Sequence, residues 1–407
     1  MNPKQFMLIA GEASGDLLAA ELVSALKQSL QVQAMPFPPE FFGAGGPQMA
    51  AAGVELAFDL TQHSVIGISD VLKKYWEFNR LLGRLVHLAI ERKPDVIICV
   101  DFQAFNRHFI HAIRKYARAR PGPFNNWNSK IIQYVSPQVW ASRPGRAYQL
   151  AEDVDLLLSI FPFEKEWYAG RVPKLRVEFI GHPMVERFGK FKVRSPKSSD
   201  SDEAPTVLLL PGSRKSELQR HLPVMIEAAR IITSRNQTKF RMILPNFELC
   251  AMAQGMAGIN VKRELAEPVL DLDVHPFIRC GVGDVAQALT EADVAVASTG
   301  TATLECAHFG VPTVAIYKTS WSNYFIAKQI VTVKYLAMPN VLANETIYPE
   351  LIQGAATPEN IAREALDLLN NVERRRVVKT KLEQVVKSLG EPGASRRAAQ
   401  TVLSLLR

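Results

Sequence analysis

Short, predominantly apolar runs recur along the chain, many of them closed by a turn containing Gly, Ser or an acid. They fall at residues 6–10, 40–43, 96–101, 131–135, 154–160 and 177–180, and again at 207–210, 240–244, 294–297 and 313–316. Runs this short and this apolar are strands buried on both faces, which is the condition of a parallel sheet with helices covering each side. Residues 16–30 and 217–232 supply apolar residues at helical spacing between them. The pattern predicts an α/β chain of two Rossmann-like, doubly wound domains facing a central crevice. Residues 190–205 (KFKVRSPKSSDSDEAP) interrupt it with a polar, charged stretch of linker composition. The expected division is therefore 1–189, a linker at 190–205, a second domain at 206–370, and helices over 371–407 packing back across the junction. A length of 407 residues suits two domains.

With 47% hydrophobic and 22% charged residues, the composition is that of a globular chain with a sizeable core. Cys99, Cys250, Cys280 and Cys306 lack the spacing of a zinc site and read as reduced thiols. The apolar start at residues 6–10 is too short for a signal-peptide core, and no uninterrupted apolar run approaches the ~20 residues that span a bilayer. The expectation is a chain neither secreted nor integral to a membrane. A net charge of +8 calls for an anionic partner or a merely basic surface. No finger, aromatic RNA-binding strand or GXXG clamp accompanies it, so nucleic acid has only the charge in its favour.

Ser298-Thr299-Gly300-Thr301-Ala302-Thr303 follows the run at 294–297 and leads into a helix that carries Glu305. Such a turn presents backbone N–H groups and the positive end of a helix dipole, which suits a diphosphate, and Glu305 can accept hydrogen bonds from a ribose. An ordinary turn whose hydroxyls cap the helix has the same sequence. The run at 207–210 leads into Pro211-Gly212-Ser213-Arg214, where a Gly-Ser turn and a guanidinium fork resemble a phosphate clamp. Two such turns in one half point to nucleotide binding there.

In the first half, Gly11-Glu12-Ala13-Ser14-Gly15-Asp16 closes the first strand. Gly11 and Gly15 permit a sharp turn and a ligand's close approach, and Glu12, Ser14 and Asp16 offer polar groups to sugar hydroxyls. Ser14 or Asp16 as a helix N-cap is the competing reading. Asp101 ends the run at 96–100 and Asn106 follows in its loop. A carboxylate there is costly unless hydrogen-bonded or functional, so it is either a base for a sugar hydroxyl or the anchor of a turn. Ser136 and Trp140 follow the run at 131–135; Trp140 can stack on a sugar or an acyl chain, with Arg143 and Arg146 as phosphate ligands, and a core Trp beside two surface arginines fits equally. Residues 66–93 set Leu72, Tyr75, Trp76, Phe78, Leu81, Leu82 and Leu85 among Lys73, Lys74, Arg80 and Arg84. That is the composition of a helix in a membrane interface, with Leu72, Lys73, Lys74, Trp76 and Arg80 facing lipid, or of a core helix with a basic outer side.

These motifs stand in one order with Gly45-Gly-Pro-Gln-Met49, Tyr134-Val-Ser-Pro-Gln-Val-Trp-Ala141, Phe161-Pro-Phe-Glu164, Phe179-Ile-Gly-His-Pro183 and Met338-Pro-Asn340. The ordered set, covering nearly the whole chain, resembles the lipid A disaccharide synthase family, glycosyltransferases of the GT-B type. The resemblance implies transfer of 2,3-diacylglucosamine from its UDP derivative to the 6-hydroxyl of 2,3-diacylglucosamine 1-phosphate, with inversion at the anomeric carbon, release of UDP and no metal or other cofactor. It implies Asp101 as general base, Glu305 at the ribose, Arg214 and the Ser298–Thr303 turn at the diphosphate, and Glu12 and Asn340 lining the site. It further implies peripheral attachment to the anionic inner face of the cytoplasmic membrane, no nucleic-acid partner, and leaves a homodimer open. The chain departs from the family after Asp101, where Phe102, Gln103 and Ala104 replace a short residue, a Pro and a second acid. The second Trp common after Trp140 is missing too, and residues 125–129 are an unfamiliar insertion. Another UDP-sugar transferase, a UDP-N-acetylglucosamine epimerase, or a catalytically silent nucleotide-sugar or lipid-binding relative are the alternatives.

Overall fold

A computed structural model describes residues 3–32, 37–63, 71–119, 127–191, 204–256, 269–270 and 278–406. Most of the expected linker (192–203), the start of the 66–93 stretch (66–70) and residues 125–126 lie outside the described residues, as do the side chains of Leu72, Lys73 and Lys74. The chain forms two compact units, Met1–Glu186 with Leu389–Arg407, and Arg187–Ser388.

The first unit is built on strands β1 (Gln5–Ala10), β2 (Glu40–Gly45), β3 (Glu55–Asp59), β4 (Val96–Val100), β5 (Lys130–Tyr134), β6 (Leu156–Ser159) and β7 (Arg176–Phe179). They pair in the order β3-β2-β1-β4-β5-β6-β7, every pair parallel. All of β4 is buried, which is why its sequence is continuous apolar rather than alternating. Helix Gln103–Ala119 buries Phe105, Phe109, Ile110 and Ile113 at helical spacing. Helix Ala394–Ser404 packs on helix Ala13–Val32, so the chain's last helix completes this unit, whereas helix Val372–Ser388 belongs to the second.

Helix Val71–Arg92 corrects part of the membrane reading. Leu81, Leu85 and Ala89 are buried in the core, with Phe78, Leu82 and Val86 packed against it. Burying each Leu contributes about 2 kcal/mol, a gain that turning it to lipid forfeits from the fold. From Phe78 onward this is a core helix with a basic outer side. Trp76, 73% exposed, and the exposed Arg80 remain at its outer surface.

The second unit carries β8 (Thr206–Leu210), β9 (Lys239–Leu244), β10 (Val269–Leu270), β11 (Ile278–Val282), β12 (Val294–Ser298), β13 (Thr313–Tyr317) and β14 (Glu350–Ile352). The order is β10-β11-β9-β8-β12-β13-β14, with only β10–β11 antiparallel. In both sheets the winding reverses at one place: between β1 and β4, and between β8 and β12. Loops leaving the C-terminal ends of the two strands at such a switch point diverge, and the crevice they leave is where open α/β sheets bind ligands. Among the described residues, no helix is long and apolar enough to cross a membrane.

Candidate active site

Asp101 occupies the C-terminal end of β4, at the first unit's switch point. It and Phe102 both have left-handed backbones, with φ of 47° and 43°, and Val135 at the end of the neighbouring β5 has φ 67°. Left-handed conformations cost non-glycine residues roughly 1–3 kcal/mol each, and a β-branched Val is a true outlier there. Two buried amides hold this strained pair of strand ends. Asn106 Nδ2 donates to the Asp101 carbonyl (2.8 Å) and more distantly to the Val100 carbonyl (3.3 Å). Gln133 Nε2 reaches the carbonyls of Val135 (3.2 Å) and Asp101 (3.4 Å). The result clamps the Asp101 backbone and leaves its carboxyl half-buried at the strand end. Burial pushes its pKa up, Glu12 adds to the rise, and the Phe102 N–H opposes it. Of the predicted loop 11–16, then, Glu12 is the group that acts on Asp101; Gly15 stands against the Asp101 Cβ, with 3.8 Å to an added methyl.

The rest of that loop differs from expectation. Asp16 is buried and inside the first turn of helix Ala13–Val32, yet its carboxylate accepts the N–H groups of Gly46, Gln48 and Met49 (2.8–3.0 Å). It caps the following helix, Pro47–Ala51, and neither it nor Ser14 caps its own. Asp16, 2% exposed and engaged by three backbone donors, serves to hold the 46–49 turn. Gly11 is needed for a protein contact: a Cβ there would lie 2.2 Å from the Phe102 ring. That ring, standing where the family has a short residue, stacks on Phe105 at 5.4 Å. Ser14 is exposed.

Ser136 and Trp140 are also corrected. Trp140 is buried, edge-on to Phe163, and donates Nε1–H to Glu164 (2.9 Å), so it is unavailable to stack on a ligand. Ser136 is buried against the Tyr168 hydroxyl (3.1 Å). Both belong to the setting of Glu164, a fully buried carboxyl whose pKa burial raises to about 7 against hydrogen bonds from Trp140, Ser159, Phe161 and Ser136. The folded state therefore holds this proton more tightly than the unfolded chain. Its contribution to stability is complete below about pH 4.5 and is lost as pH rises through about 7, on the order of 3 kcal/mol in all. Glu164→Gln is expected to flatten that decline, read as denaturant unfolding of the first unit between those pH values. An unchanged slope in the variant would remove Glu164 as its source.

In the second unit, β8 and β12 lie side by side in register, Leu210 opposite Ala297, so the turns that follow them leave adjacent strand ends. Arg214 is the N-cap residue of helix Lys215–Arg235, with its side chain 70% exposed. Glu217 orders this corner: it accepts from the Ser213 N–H (2.9 Å) and from Arg214 Nη1 (3.1 Å). Gly300 precedes helix Thr301–His308 at φ 134°, ψ −153°, a backbone open essentially to glycine alone. Thr301 is exposed, Thr299 and Ala302 are half-buried, and Ser298 is buried at the strand end. The helix start thus follows the strand next to the one that leads to Arg214, and of its first-turn amides the Thr303 N–H is taken by the Gly300 carbonyl (3.2 Å). Thr303 is corrected: its hydroxyl donates to the Gly300 carbonyl (2.7 Å) and accepts the Met338 N–H (3.3 Å), fixing the turn from inside. Glu305, half-buried on the next turn, has its pKa raised by burial, and the Arg187 guanidinium counters the rise.

Asn340 departs furthest from expectation. It is wholly buried, donating to the Tyr348 carbonyl and Glu350 (2.8 Å each) and accepting the Ile347 and Tyr348 N–H groups (2.9 and 2.8 Å). Its side chain holds the 338–350 loop together and has no capacity left for a ligand. Conversely, sequence reading missed His221. Its Nε2 accepts the Lys318 N–H (2.9 Å), so Nδ1 carries the proton and donates to the Pro211 carbonyl (2.7 Å). Burial holds its pKa down, keeping the neutral tautomer that ties the Arg214 turn to the segment after β13. Nothing in the sequence distinguishes His221 or Gln133 from any polar residue on a helix or strand.

Residues 6–405 match the family model of lipid-A-disaccharide synthetase. The chain belongs to the lipid-A-disaccharide synthetase family. It is 36% identical to the lipid-A-disaccharide synthase of Syntrophus aciditrophicus over 416 aligned positions, covering 100% of this chain and 99% of that one. It is 35% identical to the enzyme of Myxococcus xanthus, covering 100% and 98%. Among solved structures, a UDP complex of S. aureus MnaA (TM-score 0.61, 13% identity, 99% and 97% covered) and the Acinetobacter baumannii MurG (0.53, 14%, 99% and 100%) share the two-domain α/β fold. The chain is thus a disaccharide-forming glycosyltransferase of this family, acting on a UDP-sugar donor and a lipid acceptor.

Proposed function

We propose that the protein transfers 2,3-diacylglucosamine from UDP-2,3-diacylglucosamine to the 6-hydroxyl of 2,3-diacylglucosamine 1-phosphate. The Asp101 carboxylate takes the proton of the acceptor hydroxyl as its oxygen attacks the anomeric carbon. The bond from that carbon to the diphosphate oxygen breaks, UDP leaves with the electron pair, and inversion yields the β-1,6 disaccharide 1-phosphate. Arg214 and the first-turn amides of helix Thr301–His308 take the diphosphate charge without a metal, with Ser213, Ser298 and Thr299 beside them. Glu305 receives the ribose hydroxyls. The observation that carries the reading is Asp101 itself, a carboxyl with raised pKa held on a strained strand end at a switch point in a chain of this family.

In this reading the first unit rests on the anionic inner face of the cytoplasmic membrane, where both acylated substrates reside, and the exposed Trp76 and Arg80 support it. The test is radiolabelled UDP-diacylglucosamine with the monosaccharide 1-phosphate and a chelator, followed by chromatography. Labelled disaccharide and UDP are expected in equal amounts. Product formed only with a non-acylated acceptor, or free diacylglucosamine in place of disaccharide, defeats the assignment.

A further inference from the structure

Helix Trp321–Ile330 of the second unit buries none of its residues, although its sequence, WSNYFIAKQI, is more apolar than polar. Trp321, Phe325 and Ile326 are 59%, 60% and 57% exposed. The helix is nonetheless well formed, its start capped by the Ser320 hydroxyl, which accepts the Asn323 N–H. Trp321, Tyr324, Phe325 and Lys328 stand at i, i+3, i+4 and i+7, one face of a helix. Three of those side chains already cluster, with Trp321–Tyr324, Trp321–Phe325 and Tyr324–Phe325 centroids 5.9, 6.0 and 6.0 Å apart. A contiguous aromatic patch left in water marks a docking surface.

Charge selects what docks there. The sequence has no Asp or Glu between Glu305 and Glu345, and its cations there include Lys318, Lys328 and Lys334. Lys318 is held by the carbonyls of Gln353 and Ala356, whereas Lys328 and Lys334 are exposed on and just beyond the helix. Trp and Tyr with flanking Lys and no acid are the composition that lies at a lipid headgroup boundary, the lysine stems covering apolar surface while their ammonium groups reach phosphate.

We propose that helix Trp321–Ile330 and the chain following it to Lys334 dock on an anionic lipid bilayer, giving the donor-binding unit its own membrane contact apart from Trp76 in the first unit. The benefit to catalysis rests on the reading of both substrates as membrane lipids; the docking itself does not depend on it. The test is flotation of the full-length protein with phosphatidylglycerol-containing and pure phosphatidylcholine vesicles, without substrate. The triple variant Trp321→Ser/Phe325→Ser/Ile326→Ser is expected to lower the fraction bound to anionic vesicles about fivefold, and Lys328→Gln/Lys334→Gln to reduce the preference for them over phosphatidylcholine. Because the substituted side chains are exposed, melting and turnover of detergent-dispersed substrates stay at wild-type values. Wild-type flotation by the triple variant overturns the proposal, as does a variant that floats normally but loses a dimer seen by sedimentation, which would make the helix an interface between copies. Lost flotation together with no disaccharide synthesis by the wild type would leave the lipid contact standing and remove the substrate reading instead.

Discussion

Asp101→Asn lowers kcat at least ~100-fold and leaves KM for the UDP-sugar near its wild-type value, the expected signature of losing a proton acceptor that acts only as the bond forms. The amide is nearly isosteric, so the backbone clamp from Asn106 and Gln133 is untouched and the fold is expected to survive. The pH profile adds a second readout. A general base works only when deprotonated, and burial with the neighbouring Glu12 pushes the Asp101 carboxyl above its ordinary range. Wild-type kcat/KM should therefore fall, as pH is lowered, at a pH above that of an unperturbed carboxylate, and the residual activity of Asp101→Asn should lack this limb. Turnover unchanged by the substitution eliminates Asp101 as the base, whatever the reaction proves to be.

Asn340→Ala destabilises the second unit by about 3–5 kcal/mol and lowers its melting temperature by roughly 10 °C. Removing the side chain leaves the Ile347 and Tyr348 N–H groups and the Tyr348 carbonyl without their partner in a site that excludes water. Each such group costs roughly 1–3 kcal/mol, and the small cavity adds to that. Calorimetry of the full chain should show one unit's transition displaced and the other's retained. A variant that melts normally but no longer binds UDP would return Asn340 to the nucleotide site, as the family resemblance implies.

The contrast between these two residues shows what a motif conveys. Asp101 and Asn340 both belong to family-matching stretches, and both are polar residues beside apolar ones. One is half-buried at a strand end with its backbone under strain, and the other is enclosed with every donor and acceptor matched. Asp16 and Trp140 resemble Asn340 in this respect: their hydrogen bonds run to Gly46, Gln48 and Met49, and to Glu164, groups 24 to 33 residues away. Sequence proximity cannot reveal such partners. Strand β3, with no fully buried residue, carries only the short apolar run Leu56–Phe58, and β10 spans two residues.

Sequence alone determined the two parallel α/β halves, because a strand buried on both faces must be apolar throughout and so announces itself. It also determined which turns end those strands, since Gly300 and the Pro211–Arg214 corner follow the apolar runs directly. Only the tertiary structure decided that β1 adjoins β4 and β8 adjoins β12, which makes four of those turns switch-point loops. It alone decided that Gln133 and His221 support two of them, and that helix Trp321–Ile330 is left uncovered while most of helix Val71–Arg92 turns inward. The physical reason is the same in each case. Burial and hydrogen-bond satisfaction depend on what distant segments bring to a side chain, and apolar periodicity records only the average face an element turns to the core.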